Sequence, residues 1–413
     1  MFLKENCYLV NGYRNAAIYD LNNCKVYSIN SEGKDIIIKY LKNTKLIGNK
    51  KEKEYMEILK KYDLLTENID VSNRKSMIDK PEPRLRYAWL EITGSCNLKC
   101  IHCYGQFGNL PTISDEPLTT KDWKRIIDIL IENNCREIQL IGGEPMVHKD
   151  FYDILKYAHK SGMKRIDVFT NATLINEKSI QIFKQTNASI RISLYGHNQE
   201  LHEKITSCRG SFKKTENALK LLKVNNIQTQ IAVVIMKENE KYIQEIKKYI
   251  ESLGHKYTGY DVIRPSCLLN SKEHQVTDIN ILKSRYNLNP EFYTSPKTFY
   301  ENHFYNSCWN GKIAITYDGD IIPCIFARND IIGNIRNANS LQDIKKLIVK
   351  KWSITKDDIE VCKDCEFRYC CHDCRPLADG IEGKSKAKYP RCCYDPYNGR
   401  WMKLKEYTKE LKL

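Results

Sequence analysis

Long apolar runs are missing from this sequence. Nowhere do eighteen or so hydrophobic residues follow one another, the length a membrane-crossing helix needs. The opening stretch, MFLKENCYLVNGYRN, interrupts its short apolar run with charge, unlike the core of a secretory signal. A cytoplasmic protein with no membrane partner is therefore expected. Internal repeats and low-complexity blocks are absent too, apart from a strand and helix alternation described below. Massed charge of one sign is also lacking. The formal net charge of +15 over 413 residues comes from dispersed lysines, and segments such as KKEKEYMEILKK mix both signs at helical spacing. That pattern makes solvated helix faces and argues against a nucleic-acid surface, while leaving a modest pull on acidic peptides.

What the chain has in quantity is cysteine. Seventeen cysteines in a chain expected to stay in the cytoplasm point to metal or redox chemistry and away from a disulfide framework. Cys7, Cys24, Cys135, Cys208 and Cys267 are scattered singly and read as buried, inert thiols. Cys96, Cys100 and Cys103 form one knot, and Cys308, Cys324, Cys362, Cys365, Cys370, Cys371, Cys374, Cys392 and Cys393 crowd the last quarter. With 42% hydrophobic residues, the chain is large enough for two or three packed domains.

Residues 1–70 read as strand, tight turn, strand, then helices. AAIYDL and KVYSI flank Asn22 and Asn23, SEGKDIIIKYLKN opens on Ser31 as a helix cap, and KKEKEYMEILKKYDLL repeats apolar residues at three and four. This is the outline of a winged-helix-like module. A polar, proline-containing linker is expected at 71–85. Over 86–265 the strand candidates AWLEIT, EIQLIGG, RIDVFTN, SIRISLYG, TQIAVVI and YDVI alternate with amphipathic helices. In one of these, DWKRIIDILIENN, Trp123, Ile126, Ile127, Leu130 and Ile131 form a stripe. Six such units imply an α/β fold of parallel strands with right-handed crossovers, a partial (β/α)6 TIM-type barrel. Its ligands belong at the carboxyl ends of the strands. A poorly patterned bridge at 266–307 leads to a cysteine-rich domain at 308–396 and a C-terminal helix at 397–413.

CNLKCIHC, Cys96 to Cys103, holds three cysteines at the spacing C-x3-C-x2-C and no fourth. A four-iron cluster is normally held by four thiolates. Three leave one iron open to an outside ligand, as a catalytic zinc site keeps a vacant position. The competing reading is a zinc knot completed by His102 or a distant residue. The loop follows the first strand, Gly142, Gly143, Glu144 and Pro145 end the second, and Ser193 to Gly196 end the fourth. The chemistry thus converges on one rim.

This arrangement resembles the radical S-adenosylmethionine enzymes. The resemblance implies that Cys96, Cys100 and Cys103 hold a [4Fe-4S] cluster whose open iron chelates S-adenosyl-L-methionine. One electron then cleaves the cofactor to a 5'-deoxyadenosyl radical that abstracts hydrogen. His102 fills a usually aromatic place. Gly142, Gly143 and Glu144 would meet the cofactor's amino group. Ser193 matches a ribose-contacting position, and Asn171 is a looser candidate; loop capping is the alternative for both.

The C-terminal cysteines look like the SPASM extension, which binds two further [4Fe-4S] clusters. Cys308, ten residues, Gly319, four residues and Cys324 precede Cys362-x2-Cys365-x5-Cys371-x2-Cys374 and then Cys392. The family's usual gap before the fourth of these is three residues. Counting from Cys370 restores it but shortens the gap before, and Cys371 is preferred. By resemblance, Cys362, Cys365, Cys371 and Cys392 close one auxiliary cluster. Cys308, Cys324 and Cys374 hold the other, with Cys267, Cys370, Cys393 or an open iron completing it. Two zinc ribbons are the alternative.

Enzymes with this extension mostly modify peptides. The front module resembles the precursor-recognition elements of maturases acting on ribosomally made peptides, where a leader adds as a strand to a sheet edge and raises the core peptide's effective concentration. The expectation is a peptide maturase that acts on a precursor peptide and installs a crosslink such as a thioether, with ferredoxin or flavodoxin as electron donor. Two alternatives stand beside it. One is a sulfatase-type maturase that oxidises serine or cysteine, disfavoured by Ile325 where such enzymes tend to carry an acid after Cys324. The other is a non-catalytic DNA-binding or iron-sensing regulator.

Overall fold

The strand candidates of the middle region alternate in a way that decides which face each side chain takes, because successive residues in a strand point to opposite sides. The computed structural model describes residues 2–42, 48–67, 80–108, 116–264, 271–286, 288–289, 292–337, 341–382 and 386–410. They fall into two units, Pro83–Ser284 with Gly311–Lys351, and Met1–Glu82 with Arg285–Asn310 and Trp352–Leu413. The linker expected at 71–85 lies mostly outside the described residues, as does Cys267. Among the described residues no helix is long and apolar enough to cross a membrane.

In the unit of Pro83–Ser284 and Gly311–Lys351, Tyr87–Thr93, Glu137–Gly142, Arg165–Thr170, Ser189–Ser193 and Thr229–Ala232 pair in parallel, each with the next. Val233 breaks TQIAVVI, so that Val234–Ile235 pairs instead with Asp261–Val262, again in parallel. One face of the five-strand series carries Ala88, Leu90, Ile92, Ile138, Leu140, Ile166, Val168, Ile190 and Ile192, all buried. The other is mixed, carrying Tyr87, Trp89, Ile141 and Phe169 beside Glu91, Gln139, Asp167, Arg191 and Ser193. Helix Thr120–Glu132 starts on a Thr119 capping box and buries Trp123, Ile126, Ile127, Ile129 and Leu130. Ile131, expected on that stripe, is only half-buried, and Ile129 takes its place.

The sheet also holds strands that the sequence pattern did not reveal. Lys312–Ile315 pairs in parallel with Tyr87–Thr93, and Asp320–Ile322 and Gly333–Asn334 follow antiparallel. Gly319, the glycine of the C-terminal motif, makes the turn between Lys312–Ile315 and Asp320–Ile322. Its φ is +93°, and a Cβ there would stand 2.8 Å from Asn334.

In the other unit, Cys7–Asn11, Ala16–Asp20 and Lys25–Ile29 form an antiparallel sheet with Ala16–Asp20 in the middle. Helices Ser31–Lys42 and Lys50–Lys61 follow. Cys7–Asn11 is an additional strand. Asn30, and not Ser31, caps the first helix, its side chain accepting from Gly33 N at 2.8 Å. Every residue of the middle strand is buried, because both faces are covered. Ala16 and Ile18 pack with Ile36, Ile37, Met56 and Leu59 of the helices. Ala17 and Tyr19 pack with Phe299, Phe367, Tyr369 and Cys370. The C-terminal helix begins later than expected, at Leu404 (Leu404–Glu410 among the described residues), after the hairpin of Tyr394–Asp395 and Arg400–Trp401. Of the single cysteines, Cys7 and Cys135 are buried as expected, but Cys24 and Cys208 are half-buried.

Candidate active site

The loop after Tyr87–Thr93 is held at the rim by its neighbours. Gly143 N donates to Thr93 O and Glu144 N to Ser95 O, both at 2.9 Å. A Cβ on Gly142 would stand 2.4 Å from Thr93 O and one on Gly143 2.2 Å from Ser95 O. The close approach these glycines permit is thus to the backbone leading into Cys96. Lys99 N and Ile101 N donate to Thr206 O and Ile205 O at 3.1 and 3.0 Å. Asn171 Nδ2 donates to Asn97 Oδ1 at 2.8 Å, and Asn97 Nδ2 to Thr173 Oγ1 at 2.8 Å. The side chain of Asn171 therefore ties the third strand's end to the cysteine loop.

Glu144 is fully buried. Its carboxylate accepts from Thr170 Oγ1 and Asn171 N, both at 2.7 Å, and from Met146 N at 3.1 Å. Burial still lifts it to about 7. This clamp joins the ends of the second and third strands, and the carboxylate keeps acceptor capacity for one more donor. Burial also pushes the Cys96 thiol to about 11, with Glu144 and Cys103 adding to the rise, and raises Cys100 and Cys103. The three thiols and the glutamate thus share one small neighbourhood.

Three partners of this loop were not legible in the motif. Tyr195, buried at the end of the fourth strand, meets the His102 ring edge-on with centroids 4.4 Å apart and lies close to the three thiols. Ser193 is half-buried within hydrogen-bonding reach of the Tyr195 phenol. His102 is held neutral by burial, down to about 4. Second, Glu91 is fully buried on the first strand and takes two hydrogen bonds from Arg328, at 2.9 and 2.6 Å, and one from Tyr104 at 3.3 Å. The Arg328 guanidinium also covers the Tyr104 and Phe107 rings at 5.4 and 5.3 Å. Third, the Cys208 thiol lies 3.9 Å from Asn97 O, so this cysteine borders the loop and is not remote from it.

A second set of thiols forms in the other unit. Cys362, Cys365, Cys371 and Cys392 line one pocket with Lys356, Val361, Arg368, Lys388, Tyr394 and Pro396. Cys370 is turned away, 5% exposed, with Tyr19 Oη 3.7 Å from its sulfur. Val361 before Cys362 has φ +66°, a strained position for a β-branched residue. Burial raises the Cys365, Cys371 and Cys392 thiols. Cys308 and Cys374 are half-buried here, while Cys324 is buried after Asp320–Ile322 in the barrel unit. Cys393 is wholly buried and pushed up to about 12, chiefly by that burial.

Three thiols on one loop suit a cluster with an open iron, and four around one pocket suit a closed cluster. Among the described residues no three His, Cys, Asp or Glu side chains are grouped as ligands of a single ion. The fold and these two thiol sets define an α/β barrel protein built for iron–sulfur clusters. Residues 90–250 match the radical SAM superfamily and residues 308–366 the SPASM iron–sulfur cluster-binding domain, so the chain belongs to the radical SAM superfamily and carries a SPASM domain. It is 29% identical over 332 residues to the antilisterial bacteriocin subtilosin biosynthesis protein AlbA of Bacillus subtilis, covering 75% of this chain and 70% of that protein. It is 24% identical over 361 residues to the AdoMet-dependent heme synthase of Oleidesulfovibrio alaskensis, covering 78% and 91%. The structure of Streptococcus suis SuiB bound to S-adenosylmethionine superposes with a TM-score of 0.56 at 16% identity, covering 94% of this chain and 98% of that one.

Proposed function

We propose that this protein is a radical S-adenosylmethionine peptide maturase that abstracts hydrogen from a ribosomally made precursor peptide and installs a crosslink such as a thioether. The observation that carries the reading is the joint presence of the three-thiol loop, the four-thiol pocket and a sheet edge suited to a peptide. When bound, the cluster and S-adenosylmethionine supply a 5'-deoxyadenosyl radical able to take hydrogen from an unactivated carbon. Cys96, Cys100 and Cys103 would hold that cluster. Gly142 and Gly143 keep the loop against the rim, Glu144 would use its remaining acceptor capacity on the cofactor's ammonium, and Ser193 and Asn171 would border the ribose. Cys362, Cys365, Cys371 and Cys392 would hold one auxiliary cluster, and Cys308, Cys324 and Cys374 are assigned to another on their motif alone.

The edge strand Lys25–Ile29 supports a leader site. Its first half is already paired by this chain, with Val26 N donating to Phe292 O at 2.9 Å, Thr294 N to Cys24 O at 3.1 Å and Lys25 bridged to Tyr293, which leaves the outward-pointing backbone groups of Ser28 for an added strand. Lys25, Val26, Tyr27, Ser28 and Phe292 line a groove there, where an extended peptide would pair and gain affinity from main-chain bonds. AlbA is a bacteriocin biosynthesis protein, and a SuiB structure with TM-score 0.52 is bound to the precursor peptide SuiA. Ile325 is 9% exposed and packs with Ile141, Ala314 and Ile322, which supplies no acid for the sulfatase-type reaction. A ferredoxin or flavodoxin would deliver the electron.

The test is an anaerobic reaction of the reconstituted protein with S-adenosylmethionine, a strong reductant and candidate cysteine-containing precursor peptides. The expected result is 5'-deoxyadenosine together with a peptide lighter by two hydrogens per crosslink. Intact S-adenosylmethionine in every reaction would sink the reading. The AdoMet-dependent heme synthase relative favours a second reading, in which this protein acts on a heme precursor. Turnover of a heme precursor with no peptide change would establish that one instead.

A further inference from the structure

Lys356 is an unusual occupant of the four-thiol pocket. Its side chain is 5% exposed, and its Nζ lies 4.0 Å from the Cys362 sulfur and 3.1 Å from Asp373 Oδ1. Asp373, itself 2% exposed, also receives Arg375 and, at 3.0 Å, Asn306 Nδ2. The carboxylate beside Lys356 is thus shared, and it neutralises the ammonium only in part. The other cations at the pocket are engaged differently. Arg368 donates to Asp357 at 2.7 Å and to the carbonyls of Asn11 and Cys365 at 2.9 Å, and half-buried Lys388 donates to the Tyr394 carbonyl at 2.7 Å. Lys356 is the most buried of them and lies against the Cys362 sulfur, whereas the half-buried Lys388 bears on Cys392.

A buried charge is costly unless something of opposite sign meets it. A four-iron cluster with four thiolates is anionic in both of its common oxidation states, and one added electron makes it more so. A fixed cation a few ångströms away therefore stabilises the reduced state more than the oxidised one, and cluster potentials follow net charge and burial. We propose that Lys356 is a fixed countercharge that raises the reduction potential of a cluster held by Cys362, Cys365, Cys371 and Cys392, and that Asp373 sets how much of that charge the cluster feels. This rests on the assignment of those four thiols to a cluster.

The test is a potentiometric titration of the full-length, reconstituted protein, read by the paramagnetic signal of the reduced clusters. The Cys96→Ala, Cys100→Ala, Cys103→Ala background removes the loop cluster, and iron is counted in every sample. Cys371→Ala identifies which midpoint belongs to the pocket. If it leaves iron and all midpoints unchanged, the cluster assignment fails and the proposal falls with it. With the assignment intact, Lys356→Met is expected to lower that midpoint, Lys356→Arg to keep it, and Asp373→Asn to raise it. The opposite signs separate a charge effect from a structural one. If Lys356→Met does not take up iron, the rise in Asp373→Asn decides alone. Unmoved midpoints at full iron content, or shifts of the same sign in Lys356→Met and Asp373→Asn, would overturn the proposal.

Discussion

The loop of Cys96, Cys100 and Cys103 borders a buried carboxylate, Glu144, and the neutral rings of His102 and Tyr195, whereas the pocket of Cys362, Cys365, Cys371 and Cys392 is lined by Lys356, Arg368 and Lys388. The supports differ as well. The loop draws its thiols from eight residues and is pinned by hydrogen bonds to the ends of neighbouring strands. The pocket gathers thiols from a longer stretch and is backed by the N-terminal sheet, through Tyr13 N to Asp364 O at 2.7 Å and Tyr19 Oη to Glu366 O at 2.9 Å. An anionic cluster with a buried ammonium beside it is easier to reduce than one beside neutral groups. The contrast suits a strongly reducing site at the rim and a less reducing one in the pocket.

The sharpest way to break this comparison is to empty one site at a time. The Cys96→Ala, Cys100→Ala, Cys103→Ala variant is expected to lose all 5'-deoxyadenosine formation while keeping the pocket's iron. Cys371→Ala should lose that iron and still cleave S-adenosylmethionine, and Cys370→Ala should keep it, because Cys370 is packed against Tyr19. Iron analysis and product assay decide, and loss of iron in Cys370→Ala would contradict the ligand choice. Next in size is Gly143→Ala. Its Cβ would meet Ser95 O at 2.2 Å and displace the entry to Cys96, so S-adenosylmethionine affinity should fall at least about tenfold. Gly319→Ala, at φ +93° in a distant hairpin turn, should cost about 1 kcal/mol or more of stability with affinity unchanged. Binding titrations and denaturation curves separate the two.

Arg328→Met leaves Glu91 buried without its bidentate partner, at an expected cost of about 3–5 kcal/mol in denaturant unfolding; a loss below about 1 kcal/mol would mean that Glu91 finds another donor. A further effect concerns pH. His202 is 2% exposed, and burial lowers it to about 4. Below the ordinary histidine pKa the unfolded chain binds a proton that the folded chain refuses, so stability falls as pH drops from about 6.5 towards about 4. The full effect is on the order of 3 kcal/mol. In His202→Gln the acid limb should flatten, as read from unfolding midpoints across that range, and parallel curves for variant and parent would refute it.

Much of this molecule was legible in order along the chain. The core strands announce themselves as short apolar runs between amphipathic helices, and Cys96, Cys100 and Cys103 sit within one eight-residue loop, so their spacing alone fits a cluster with an open iron. Local signals also misled at small scale. Asn30 and Ser31 are both good helix caps, and only the accepted hydrogen bond from Gly33 chooses Asn30. Ile129 is buried and Ile131 only half-buried, the reverse of what the apolar stripe alone marks.

By itself, then, the sequence determined the class of chemistry and the run of parallel strands, because thiol spacing and apolar periodicity act over a few residues. Tertiary structure decided the rest. Lys312–Ile315 joins the first strand by backbone pairing that no local pattern encodes. Glu91 and Arg328 meet across 237 residues, and Tyr195 comes to the thiols only when the fourth strand is in register. Cys371 lines the pocket and Cys370 does not, because Tyr19 of the N-terminal sheet occupies the other side. Each of these depends on which buried surfaces meet, and burial is a property of the whole fold, not of neighbouring residues.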